Sequence, residues 1–276
     1  MLADTVVLAA GVLGSTEILL RSREQGLPLS DQLGKRLSGN GDEMVIGRSL
    51  DAKVNAVSVG YPPRADVEPV GPHCVGMIRY VDREWGGRTI VIQDGTMLPV
   101  MAKLGPLKAL TELRLARWAK QLIDGPYAGI RAHTQVYYVM AEDDAAGEMS
   151  LVNDRLVVSW PDAQKQACFE RTEKVMLRVV EALGGEYMQN PLSECFLGGR
   201  KITAHPLGGC PMGRNVSTGV VDYQCRVFDP TRGDGHGAYE GLYVCDGSVV
   251  PTSLGVNPLL TIAALAERAM SLLGTR

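Results

Sequence analysis

Residues Thr5-Val6-Val7-Leu8-Ala9-Ala10-Gly11 form a short apolar run closed by glycine, the pattern of a strand buried on both faces in a parallel sheet. The stretch that follows, Val12-Leu13-Gly14-Ser15-Thr16-Glu17-Ile18-Leu19-Leu20-Arg21, predicts a helix with Ser15 as its N-cap, Glu17 in the first turn and a Leu/Ile face behind. Strand, glycine turn and helix start make half of a βαβ unit. Such a helix N-terminus either favours an anion such as a pyrophosphate or is only a packed strand-to-helix turn.

From about residue 44 to 201 the pattern changes to short β-branched and aromatic runs cut by Gly, Pro and Asp. Strands are predicted over residues 54–59, 74–80, 88–93, 134–140, 148–152 and 156–160, with Asn153-Asp154 as a hairpin turn between the last two. Strands that do not alternate with helices predict an antiparallel sheet, a layer separate from the parallel one. Two amphipathic helices, 107–122 and 164–183, are expected to cover it. The second carries Cys168, Phe169, Thr172, Val175, Met176, Val179, Val180 and Leu183 on one stripe before a Gly184-Gly185 stop. Pro62-Pro63 and Gly71-Pro72 mark a surface loop.

The last third holds the candidate chemistry. Ala204-His205-Pro206-Leu207-Gly208-Gly209-Cys210-Pro211-Met212-Gly213 sets one histidine before a Gly-rich turn through which backbone can approach a ligand closely, although a single histidine is more often a hydrogen-bonded structural residue. Gly241 to Ser248 reads as a second buried strand delivering Asp246-Gly247 at its end, where open α/β sheets hold ligands. Asp246 there either accepts hydrogen bonds from sugar-like hydroxyls or closes a turn. Asn257 is a natural N-cap and Pro258 a natural first residue for an apolar helix running to Leu273. Its positive end favours negative charge on a bound group.

Composition narrows the classes. With 28 Lys and Arg against 31 Asp and Glu, the net charge of −3 and the lack of a basic block argue against a nucleic-acid partner. The six cysteines form no C-x-x-C pair, so free buried thiols are expected and no metal site is predicted. The apolar stretch 258–273 is broken by Glu267 and Arg268 and falls short of the roughly 20 residues of a membrane span.

Taken in order, residues 8–17, Leu33-Gly34-Lys35 with Gly39-Asn40-Gly41, Ala204 to Gly213 and Leu242 to Arg268 resemble the C-terminal half of the glucose-methanol-choline (GMC) flavoprotein oxidoreductases, and within them the cholesterol oxidase branch. The resemblance implies an α/β plus α+β fold: an incomplete Rossmann-like parallel layer for FAD, from residues 1–43 and 202–276, and an antiparallel-sheet substrate domain covered by helices, residues 44–201. It implies that His205 positions the substrate hydroxyl and takes or shares its proton as hydride leaves for flavin N5. Asn257 matches a second active-site polar residue, set against the flavin. Asp246 and Gly247 match a pair contacting the ribityl and pyrophosphate region, while Gly39, Asn40 and Gly41, with Met44 just beyond, pass near the ring. Gly11 and Gly14 fall in the dinucleotide turn, and Pro258 beside Asn257. Asp94 stands where this branch carries a glutamate that shuttles a proton in double-bond isomerisation; it is one methylene shorter, and Asp94-Gly95 reads equally as a turn after a strand.

The resemblance thus implies oxidation of a sterol CH–OH group with transfer to O2 or another acceptor, 3-oxosteroid isomerisation as a second step, and peripheral contact with a membrane for substrate access. Other readings are a GMC enzyme acting on a different alcohol, or a catalytically incomplete fragment or split-protein partner. The family's first FAD strand, its G-x-G-x-x-G loop and its ribose-binding acid have no counterpart in this sequence. The isolated chain is therefore expected to bind FAD poorly or not at all and to need an N-terminal FAD-binding section.

Overall fold

The computed structural model of the chain describes residues 3–58, 74–97, 127–190, 193 and 200–273. Its elements are β1 (Val6–Leu8), α1 (Gly11–Glu24), β2 (Glu43–Arg48), β3 (Met77–Asp82), β4 (Arg88–Gly95), β5 (Gln135–Ala141), β6 (Glu148–Val152), β7 (Arg155–Ser159), α2 (Ala167–Ala182), β8 (Glu186–Gln189), β9 (Arg226–Phe228), β10 (Ala238–Val244) and α3 (Leu259–Leu273). They form a mixed α/β chain in two compact units: Met1–Gly41, Ala141–Gln166 and Thr203–Arg276 make unit 1, and Asp42–Met140 and Ala167–Ile202 make unit 2.

Unit 1 is built on a sheet of order β1-β10-β9. β1 runs parallel to β10 with Val6 opposite Leu242 and Leu8 opposite Val244, and β9 is antiparallel to β10. Leu19 and Leu20 of α1 pack with Val220, Val227, Val244 and Val249 into its core. The expectation that β1 is buried on both faces is corrected here: Val6 and Val7 are 43% and 40% exposed, because β10 pairs one edge and no described strand pairs the other. The β6–β7 hairpin turns at Asn153 and Asp154, both with left-handed backbone (φ 50 and 59), the geometry of a type I′ turn. It was expected within the 44–201 layer, yet it groups with unit 1. Leu37 and Gly147 exchange backbone hydrogen bonds (2.8 and 3.0 Å), the Met149 N–H reaches the Gly34 carbonyl at 2.7 Å, and Arg21 pairs with Asp154.

Unit 2 carries a five-stranded sheet of order β3-β4-β5-β2-β8, in which β3–β4, β2–β5 and β2–β8 are antiparallel. β3 to β7 start and end close to where the alternation places them. Of the strand expected over 54–59, the described residues 54–58 form only an isolated bridge, from Val57 to Met97. The predicted helix 107–122 and the 62–72 loop lie outside the described residues. α2 buries Cys168, Phe169, Thr172, Val175, Met176 and Val180 as the stripe requires, while Leu183, beyond the last turn, is 46% exposed. Gly184, at φ 73, ends the helix, and the Gly185 N–H reaches back to the Val180 carbonyl at 3.0 Å. The helix sits close to β2, since a Cβ on Gly47 would lie 3.1 Å from Val180 Cγ2.

Candidate functional site

β10 ends one residue before Cys245, whose N–H donates to the Leu8 carbonyl, and so delivers Asp246 beside the turn that opens α1. The Asp246 carboxylate is buried and fully used. Oδ2 accepts from the Gly11 N–H (3.0 Å) and the Ser15 hydroxyl, and Oδ1 accepts from the Ser248 N–H (2.8 Å) and hydroxyl (2.6 Å). A carboxylate has about four such positions, so the side chain ties strand end to helix start and leaves none for a ligand hydroxyl. Ser15 is not the N-cap. α1 begins four residues earlier, after Ala10, and the buried Ser15 hydroxyl accepts from the Ala10 N–H (3.0 Å) while donating to Asp246. Gly11 is required by its left-handed backbone (φ 78) and has open space where a Cβ would stand, whereas a Cβ on Gly14 would sit 2.9 Å from the Ala10 Cβ.

The segment bearing His205 runs along the turn after Asp246. Gly208, Cys210 and Met212 donate N–H bonds to Gly247, Ser248 and Val249 at 3.1, 3.0 and 2.9 Å. The Gly-rich turn serves a different close approach from the one expected: at Gly208 (φ 84) a Cβ would fall 1.8 Å from the Arg36 carbonyl oxygen, so the glycine admits the chain's own backbone. Gly247 is likewise packed against Val12 and Ile262 side chains.

Both His205 and Asn257 are anchored to one loop, Ser38-Gly39-Asn40-Gly41. Ser38 and Leu207 exchange backbone bonds (2.9 and 3.0 Å), and the Thr203 hydroxyl donates to the Gly39 carbonyl (2.9 Å) while accepting from the His205 N–H (3.0 Å). On the other side, Asn40 is fully buried with left-handed backbone (φ 57). Its Nδ2 donates to the Val256 carbonyl (2.8 Å), and its Oδ1 accepts from the Leu254 and Gly255 N–H groups, both at 2.9 Å. One side-chain amide thus fixes the three residues before Asn257. His205 and Asn257 are both half-buried, and Pro258 is buried with its carbonyl accepting the first helical bond of α3, from Ile262 (2.9 Å). That bond makes Pro258 the cap, one position later than expected, with Asn257 just outside.

The loop is held from beneath by a residue the sequence patterns did not single out. Asp143 accepts from the Ser38 hydroxyl (2.8 and 3.0 Å) and from the N–H groups of Gly39 (2.8 Å), Gly41 (3.0 Å) and Ala145 (3.0 Å). Burial pushes its pKa up against the pull of those donors. The one local signal was an acid placed two residues beyond the apolar run of β5, but its partners in the 38–41 loop lie more than a hundred residues away.

Asp94 and Met44 belong to unit 2. Asp94 is within β4, not in a turn after it, and half-buried; its Oδ1 accepts from the Gly76 N–H at 2.5 Å. Met44 is on β2 opposite Tyr138. Its neighbour Glu43 is a second residue unnoticed in the sequence: its side chain is 6% exposed, pairs with Lys201, and leaves Oε2 without a hydrogen-bond partner. Burial raises its pKa, opposed by Lys201. Lys201 Nζ also lies 4.5 Å from the Phe169 ring centroid. Among the described residues no cluster of His, Cys, Asp and Glu is arranged to hold a metal ion.

Residues 174–266 match the C-terminal domain model of the GMC oxidoreductases, a span that contains both His205 and Asn257. Along 96% of its length the chain is 30% identical to a cholesterol oxidase of Acinetobacter baumannii, and along 98% it is 28% identical to one of Mycobacterium tuberculosis. It spans about half the length of these curated relatives, 46% of each. A long-chain-alcohol oxidase of Arabidopsis thaliana is 34% identical over 38% of the chain and 13% of that relative. Among solved structures, a pyridoxine 4-oxidase from Mesorbium loti superposes with a TM-score of 0.52 over the whole chain and 52% of its own, at 17% identity, a likeness of fold.

Proposed function

Since this chain belongs to the GMC oxidoreductases, we propose that it is the portion of an FAD-dependent alcohol oxidoreductase that presents His205 and Asn257 to flavin and substrate, with a sterol 3-hydroxyl as the group oxidised. The observation that carries the reading is the common anchoring of the His205 and Asn257 segments on the 38–41 loop, within a chain that resembles cholesterol oxidases along nearly all its length. Unit 1 would supply part of the FAD layer and the strands of unit 2 the substrate layer.

The residues fit FAD through backbone rather than through Asp246. The open space over Gly11 at the start of α1, with Gly14 in the same turn, suits a pyrophosphate, Gly247 is the candidate beside the ribityl and pyrophosphate region, and the 39–41 and 254–257 backbones, with Met44 and Pro258 next to them in sequence, are the candidates to line the ring. When bound, FAD supplies the hydride acceptor. His205 would orient the substrate hydroxyl and accept its proton as the C–H bond breaks, a role open to a half-buried imidazole on an anchored segment. Asn257, ahead of the positive end of α3, donates hydrogen bonds to negative charge that develops beside it. Asp94 is the candidate proton carrier for 3-oxosteroid isomerisation; its bond to Gly76 must loosen for it to reach a substrate. O2 or another acceptor would take up the electrons.

A partner completes this reading. The edge of β1 that no described strand pairs, with Val6 and Val7 exposed, supports an N-terminal FAD-binding section adding strands there, on the same polypeptide or a second one, and the 73% and 81% exposure of Leu259 and Leu260 supports a further contact with it. Exposed Val75, Met77, Ile78 and Val81 on or beside β3 support peripheral contact with a lipid surface that holds the substrate. The test is flavin absorbance retained by the 276-residue chain after incubation with FAD and removal of free cofactor, alone and mixed with an N-terminal FAD-binding section, followed by turnover on cholesterol and on a long-chain primary alcohol. Flavin retained only in the mixture, with turnover on cholesterol, is the expected result. Failure to bind flavin under either condition overturns the proposal, and turnover confined to the long-chain alcohol overturns the sterol assignment.

A further inference from the structure

Two cysteines that take no part in the proposed chemistry flank the open end of the β9–β10 pair, Cys225 just before β9 and Cys245 just after β10. The Val244 N–H donates to the Cys225 carbonyl at 3.0 Å, so Cys225 stands across from the end of β10, one residue from Cys245. Regular alternation would send the side chains of residues 225 and 245 to opposite faces. Cys225 departs from it: its backbone is left-handed (φ 62), a conformation uncommon for a non-glycine residue, which turns the side chain off the pleat. Cys225 is fully buried in the core of unit 1, and Cys245 packs against that core from a half-buried position. The thiols touch electrically as well. Cys245 beside it, with burial, pushes the Cys225 thiol up, and the same contact draws the Cys245 thiol below its ordinary value. Cys210 is the contrast: enclosed between Thr16 and Ser248, its thiol is pushed up to about 12, chiefly by burial.

We infer that Cys225 and Cys245 are a reversible dithiol pair, which a hydroperoxide closes to a disulfide. Cys245, the more exposed thiol and the one with more thiolate, attacks the peroxide oxygen and becomes a sulfenic acid as the O–O bond breaks and an alcohol, or water from hydrogen peroxide, departs. The Cys225 sulfur then attacks the Cys245 sulfur, loses its proton and releases water. In sum two thiols and one hydroperoxide give one disulfide, one alcohol and one water, and the thiols surrender the two electrons that reduce the peroxide. The second step needs no solvent access to Cys225, because Cys245 packs against the same core one residue past the strand end that Cys225 faces. Closure pins β9 to the end of β10 immediately before the Asp246 clamp.

The experiment treats the native chain with one equivalent of hydrogen peroxide, blocks free thiols with N-ethylmaleimide, and maps a non-reducing tryptic digest. The expected product joins the peptides 215–226 and 233–268, which carry Cys225 and Cys245, and dithiothreitol separates them. In Cys245→Ser, and in Cys245→Ala as a second variant, Cys225 stays alkylatable once the chain is unfolded. The inference is overturned if Cys245 is oxidised without joining Cys225, if the exposed Cys74 consumes the peroxide while the pair stays reduced, or if the same link forms as fast in chain unfolded by urea.

Discussion

Asp143 in unit 1 and Glu43 in unit 2 are both carboxylates withdrawn from water, yet Asp143 accepts from Ser38, Gly39, Gly41 and Ala145, whereas Glu43 meets Lys201 and leaves one oxygen unpartnered. A buried acceptor that satisfies several backbone N–H groups acts as a fastener, because removing it strands every donor at once. A buried carboxylate with one ion pair and a bare oxygen is held less fully, so its protonation state depends more on its surroundings. The same distinction sorts the predicted ligands. Asp246 and Asn40 have spent their side chains on the fold, while His205 and Asn257 are the half-buried residues that those side chains help to hold in place.

The sharpest break in the comparison is His205→Ala in a flavin-loaded, complete enzyme. Turnover should fall by about 10²–10⁴-fold with little change in thermal midpoint; a loss of stability with turnover preserved per folded molecule would make His205 a structural residue like Asp246. Asp143→Ala comes next. Stranding the N–H groups of Gly39, Gly41 and Ala145 should cost on the order of 3 kcal/mol in urea unfolding. A cost under about 0.5 kcal/mol would show that the loop does not depend on it.

A smaller effect separates the two acids by pH. Burial raises both pKa values in the folded chain. Each contribution to stability is therefore present below the unfolded carboxylate range and is lost as pH rises through the raised value. Glu43→Gln, neutral at every pH, should flatten that decline by on the order of 1 kcal/mol, read from urea midpoints across the acidic to neutral range. An unchanged slope would assign the whole dependence to Asp143. The smallest effect on the chain by itself is Val7→Lys on β1, whose one edge no described strand pairs, expected within about 0.5 kcal/mol. The same variant should abolish flavin retention in the mixture with an N-terminal FAD-binding section, and unimpaired retention would remove β1 from that contact.

Strands β3 to β7 and the helix α2 were legible because each announces itself within a few residues: alternation, an Asn-Asp turn, a heptad-like stripe, a double glycine. β2 was not, since its apolar run, Met44 to Ile46, is only three residues long before Gly47, and charges close both ends. β8 and β9, at four and three residues, are too short for any period to show. His205 and Asn257 could be nominated from the wording of their segments. What joins them could not, since Asn40 reaches 214 to 216 residues along the chain to its partners and local pattern carries no trace of a bond that long. For Asp246 the sequence left two roles open, and its hydrogen-bond inventory picks out the structural one for the side chain.

Asn40 precedes a glycine, the pairing in which an asparagine amide is most easily lost, through attack of the following backbone nitrogen on the side-chain carbonyl carbon. In the folded chain that nitrogen donates to Asp143, and the amide under attack is held by Leu254, Gly255 and Val256. Chemical ageing at residue 40 should therefore be slow while unit 1 is folded and fast once it opens. The fraction of aspartate found there after storage would serve as an internal clock of how long each molecule has spent unfolded.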